Sequence, residues 1–164
     1  MNLNEAMKLL NGGPVGIAKW NAVRPEHPNL ACIALDCVNL AQVDLRNADL
    51  DGAELERADL EGANLAGASL QGASLEASNL KNASLQNADL WGANLQSVDL
   101  RGADLRCANL KGANLRHSNL DGANLEGANF AGAMLDAITE RGGNGERKSR
   151  YKSFAQKRGL DPYQ

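Results

Sequence analysis

The sequence predicts an all-β solenoid, and three observations carry that expectation. Leucine stands at every fifth position from Leu30 to Leu125, and the series runs on through Phe130 to Leu135: twenty-two consecutive five-residue repeats. The residue two before the centre is Ala in fifteen of them, the residue just before it is Asn or Asp in sixteen, and the residue two after it is Gly in ten. Aromatic residues are only 4% of the chain, so the core has to be built from small aliphatic side chains.

A period of five fits neither an α-helix nor a flat strand, whose side chains recur every 3.6 and 2.0 residues. It fits a chain that turns one corner per repeat. Gly, Asn and Asp suit corners, and the short Asx side chains bond back to nearby backbone. Leu and Ala then point inward, and stacked coils pair as short parallel strands about 4.8 Å apart.

Charge spacing bears on the number of sides. Like charges directly opposed on neighbouring strands repel. A coil of 15 residues would set Asp44 over Asp59 and Asp89 over Asp104; one of 20 places Ser69 beside Asp49 and Asn79 beside Asp59. One of 25 is equally clean, so three sides are disfavoured and four are not yet proved.

The tandem Ala-(Asp/Asn)-Leu-x-Gly unit, as in Ala48-Asp49-Leu50-Asp51-Gly52 or Ala123-Asn124-Leu125-Glu126-Gly127, resembles the pentapeptide-repeat proteins, in the Leu-centred form abundant in cyanobacteria. The resemblance covers residues 28–138. It implies a right-handed, four-sided parallel β-helix, with the centre and the residue two before it inside. Leu50, Leu70, Leu90, Leu110 and Phe130 would form one core column. Twenty-two repeats make about five and a half coils, a rod of about 26 Å.

A solenoid exposes its core at both ends unless something covers it. Residues 1–27 are expected to form a helical N-terminal cap. Asn2 and Glu5 have capping-box spacing, and Leu3, Ala6, Met7 and Leu10 make an apolar stripe. Gly12-Gly13 ends that helix, and Pro14 starts a second one carrying Ile17, Trp20 and Val23. Residues 139–164 read as a Gly-rich linker followed by a basic helix from 146. From 140 onward seven Lys/Arg face three Asp/Glu, a net of +4. This tail either covers the far end of the rod or docks on a partner.

Seventeen Lys/Arg against twenty Asp/Glu leave a net charge of −3 over 164 residues, too mild a balance to imply nucleic-acid binding. No run approaches the roughly 18 apolar residues of a membrane span, and no signal peptide opens the chain. Three cysteines, an odd number at no metal-ligand spacing, fit reduced thiols. The expectation is a cytoplasmic protein, neither membrane-bound nor nucleic-acid-binding, monomeric or weakly associated end to end.

The constellations of an enzyme are missing, and no catalytic, cofactor or metal residue is assigned. His27 and His117 lack companions at ligand spacing, and the carboxylates recur as part of the repeat, so no pair stands out. Cys32 and Cys37 sit at equivalent positions on successive sides and would diverge around a corner. What breaks the monotony is Trp91, the one large aromatic at an outward position inside the repeats, together with Arg101, Arg106, Lys111 and Arg116 circling one coil. These residues are the candidate partner-binding surface. Cross-coil ion pairs along ladders such as Glu61, Lys81, Arg101, Asp121 are the structural alternative for the charges.

Two functions compete. The first is a non-catalytic scaffold that binds another protein through its outward side chains. The second is a DNA mimic acting on a type II topoisomerase such as gyrase, as the resemblance allows. Such mimics are acidic along the whole rod, whereas the middle coil and the tail of this chain are basic. The sequence therefore favours the scaffold.

Overall fold

A computed structural model describes residues 1–135, together with the backbone of residues 140–141 and 147–148. From Asn29 to Met134, eighteen parallel bridges each join residues 20 apart, Asp49 to Ser69 and Asp104 to Asn124 among them. One turn of the coil therefore takes four repeats, which decides between 20 and 25. The sides are designated A to D, centred in the first coil on Leu30, Leu35, Leu40 and Leu45.

Each side is too short for a continuous strand. Its bridge residue is the one before the centre, and the next residues already turn. In the repeat of Leu50 the Ala53 N–H closes a turn on the Leu50 carbonyl at 3.0 Å, while Leu50 N–H and Gly52 N–H donate to Ser69 and Gln71 on the next coil at 2.8 and 2.9 Å. The same pattern recurs along the rod and satisfies the backbone without long strands.

The preference for Asn or Asp before each centre has a local cause. In all sixteen such repeats the side-chain Oδ1 accepts the backbone N–H two residues on, closing an Asx turn around the corner. The Ala preference is steric. Centres and the residues two before them share one buried cluster, and Leu50, Leu70, Leu90 and Leu110 are fully enclosed, with Phe130 nearly so. Each enclosed Leu contributes about 1.5–3 kcal/mol. Ser78, in an Ala position, is buried with no hydrogen-bond partner for its hydroxyl, whereas Ser118 Oγ donates to the Leu115 carbonyl at 2.6 Å.

Two helices precede the coil, α1 over Leu3–Leu10 and α2 over Gly13–Val23. The Asn2–Glu5 capping box is formed, with both reciprocal bonds present. Ala6, Leu10, Ile17 and Trp20 join the same apolar cluster as the first coil. Two expected members of the apolar faces stay outside: Leu3 is 47% exposed and Val23 is 62% exposed. Leu3 lies on the first turn, one turn short of the buried Ala6 and Leu10. Beside Val23 at the end of α2, Arg24 turns to the rod instead and pairs with Asp44 at 3.2 Å.

At the other end, Glu140–Arg141 (β1) pairs antiparallel with Arg147–Lys148 (β2). This corrects the expected helix over its first residues. The rest of the basic segment, and Asp136 to Thr139, lie outside the described residues.

Candidate interaction surface

Three outward positions per repeat build the surface: the residues just before, just after and two after the centre. The position two after the centre is the corner. Every described corner from Cys32 to Gly132 has a positive φ, between 55° and 73°. A left-handed residue at the third turn position is what a type II turn requires, and glycine takes it without a Cβ penalty. On sides A, C and D glycine recurs. Side B has none: its corners are Cys37, Arg57, Ala77, Ser97 and His117, all exposed.

Charges on the faces pair in ways the 20-residue ladder does not show. Arg46, Arg101 and Arg106 each fold back on the Asp two residues earlier in their own repeat. Arg46 meets Asp44 at 2.6 Å and Arg106 meets Asp104 at 2.7 Å, and Arg101 holds Asp99 in the same way. The guanidinium groups hold these three carboxyls below their ordinary range, Asp44 and Asp104 at about 2. Cross-coil pairing, the expectation from sequence, survives at Lys81–Glu61, 3.8 Å apart. The own-repeat pairs prevail at Arg101 and Arg106 because residues before and after one centre flank the same inward Leu and both point out.

A diagonal register of 18 residues adds a second network. Ser69 Oγ donates to Asp51, Ser74 Oγ to Glu56, Asn79 Nδ2 to Glu61 and Gln86 Nε2 to Asp104. It links the residue after one centre to the residue before the centre one coil on, a relation missed when only 20-residue ladders are read.

The candidate residues do not form one patch. Trp91 and Lys111 share side A on successive coils, as the Asp89–Asn109 bridge fixes. Trp91 is 52% exposed, and its backbone N–H is held by Asp89 Oδ1 at 3.1 Å. Arg106 on side D and Arg116 on side B lie around the corners, and Arg101 on side C is on the opposite side of the rod. Lys111 and Arg116 are exposed and have no ion-pair partner among the described residues. The cysteines are free and exposed, and no group of three or more His, Cys, Asp or Glu among the described residues could hold a metal ion.

Comparisons with known proteins agree with this architecture. The family model for pentapeptide repeats (8 copies) matches residues 39–76, 68–112 and 108–137. Among solved structures, the pentapeptide-repeat protein Rfr23 from the cyanobacterium Cyanothece is 29% identical with a TM-score of 0.67, covering 73% of this chain and 97% of its own. HetL from the cyanobacterium Nostoc, a pentapeptide-repeat protein involved in heterocyst differentiation regulation, is 31% identical with a TM-score of 0.38; the match covers 73% of this chain and 62% of HetL. No curated protein matches the chain. With repeats matched from residue 39 to 137 and the 20-residue register in place, this chain belongs to the pentapeptide-repeat family.

Proposed function

We propose that this protein is a non-catalytic scaffold that binds another protein through side A, with Trp91 as the anchor and Lys111 beside it. The observation that carries this reading is the 52% exposure of Trp91 on a face otherwise lined by small and polar groups. A large aromatic held out from a rigid backbone loses little entropy on binding, and Trp is enriched where binding energy concentrates. Arg106 and Arg116 flank that face and would act at its rim. Residues 1–27 close the N-terminal end, and the coil is right-handed, the hand favoured for parallel crossovers.

The DNA-mimic alternative is weaker. A surface that replaces duplex DNA has to present dense negative charge, but Arg101, Arg106, Lys111 and Arg116 encircle this rod where its fourth and fifth coils meet, and the carboxylates of Asp99 and Asp104 are already occupied by arginines. A gyrase supercoiling assay should show neither inhibition nor protection at micromolar protein.

The test is capture of a partner from native lysate, followed by affinity measurement. Trp91→Ala should weaken binding at least tenfold, about 1.4 kcal/mol, with the rod still folded. Arg101→Ala, on the opposite side, should leave binding unchanged. Normal binding by Trp91→Ala would sink the assignment of side A.

A further inference from the structure

Side A carries a charge pattern that complements its own reverse. Its six rungs are stacked by parallel bridges that run from Asn29 to Asn129. The residues after their centres read Ala31, Asp51, Gln71, Trp91, Lys111 and Ala131. Asp51 and Lys111 therefore stand at equal distances from the middle of the column with opposite signs, and the half-exposed Trp91 lies next to the middle. The edge beside them is low: the corners of this side from Gly52 to Gly132 are all glycine, and a Cβ at Gly72, Gly92 or Gly112 would meet nothing within 4 Å.

Both charges are available. Lys111 has no ion-pair partner among the described residues. The bonds that Asp51 accepts, from Ser69 Oγ and the Gln71 N–H, both fall on Oδ1. On side C, by contrast, Lys81 is already paired with Glu61 and Arg101 with Asp99.

We propose that two copies of this chain associate face to face through side A, with their rods antiparallel. The proposal rests on the reading of side A as the binding face and names a second copy as its partner. The two-fold axis crosses side A between the rungs of Gln71 and Trp91. Lys111 of each copy then meets Asp51 of the other, and each indole lies over Gln71 and Gly72 of the other copy. The two indoles are one rung apart, about 4.8 Å, within reach of ring stacking. Charge selects this register, because like charges set against each other across an interface are costly. An axis at the level of Gln71 would oppose Asp49 to Asp89, and one at the level of Trp91 would oppose the two copies of Asp89. A parallel pair of rods would set Asp49 of one copy over Asp51 of the other. Six rungs span about 24 Å on one narrow side, so the interface is small and the association weak.

Sedimentation equilibrium of the full-length chain, from micromolar to about 1 mM protein, tests this. The wild-type mass should rise from one chain towards two. Lys111→Asp and Trp91→Ala should each weaken association at least tenfold, and Arg101→Ala on the opposite side should leave it unchanged. Asp51→Lys combined with Lys111→Asp should restore it. These two positions are three coils apart within one chain, about 14 Å, so the rescue can arise only between copies. A folded double variant that stays single overturns the proposal. If that variant does not fold, Asp51→Asn decides, since it keeps the acceptor for Ser69 and Gln71: weakened association supports the pairing, and wild-type association refutes it. A wild type that stays single at every concentration, or a dimer indifferent to Lys111→Asp or to Trp91→Ala, also overturns the proposal. A single wild type that loses a lysate partner with Trp91→Ala would refute the second copy alone and leave side A as the binding face.

Discussion

Trp20 and Asp44 are joined by a hydrogen bond that replaces a missing coil: the indole Nε1–H donates to the Asp44 carbonyl at 2.8 Å. From Asp49 onward the residue before each centre makes two backbone bonds to the coil below. Asp49, for example, donates to the Pro28 carbonyl and accepts from Leu30 N–H. For Asp44 the corresponding donor, 19 residues earlier, would be Pro25, which has no N–H. Helix α2 supplies both substitutes, because Asn21 Oδ1 also accepts from Asp44 N–H at 2.8 Å.

Trp20→Phe keeps most of the buried ring and removes the donor. Leaving that carbonyl unpaired should cost about 1–3 kcal/mol, read as a lower midpoint in denaturant melts. A midpoint equal to the wild type would mean that packing alone holds α2 on the rod.

The corners predict a gain. Ala77 holds φ 56° and Gly92 holds φ 64°, with nothing within 4 Å of a Cβ built at Gly92. A left-handed alanine costs roughly 1–2 kcal/mol, and the extra freedom of glycine in the unfolded chain returns about 0.4–1 kcal/mol of that. Ala77→Gly should therefore stabilise the fold by up to about 1 kcal/mol, and Gly92→Ala should destabilise it by a similar amount. Thermal melts of the two variants should move in opposite directions.

Ser78 and Ser118 occupy equivalent inward positions but differ in satisfaction. Ser78→Ala removes a buried hydroxyl without a partner and should raise stability by about 0.5–1 kcal/mol. Ser118→Ala loses a bond to Leu115 and should lower it by about 1 kcal/mol. Equal shifts in chemical denaturation would show that the two hydroxyls have the same surroundings.

Acid should weaken the fold through Asp44 and Asp104. Their folded pKa values, about 2, lie below the ordinary 3.8, because Arg46 and Arg106 bond the ionised forms. A depressed carboxyl contributes stability that is present above its unfolded pKa and lost as pH falls through the folded one. Between 3.8 and about 2, stability should drop, and Asp44→Asn with Asp104→Asn should flatten that slope in melts recorded across the window.

The sequence alone determined the repeat, the inward set and the corners, because each is local. Five residues contain the Leu that must be buried, the Asx that closes the turn and the position that needs a positive φ. The Asn2–Glu5 capping box was legible for the same reason. Tertiary structure decided what depends on residues far apart in the chain. The 20-residue register comes from closure of the backbone ladder between coils, and charge spacing could not separate it from 25. That register in turn put Trp91 and Arg101 on opposite sides of the rod and spread the four basic residues one to a side, while Arg101 and Arg106 folded back on their own aspartates. Val23 was left in solvent while Trp20, three residues earlier, completed a strand edge, since the face that a helix buries is chosen by the surface on which it lands.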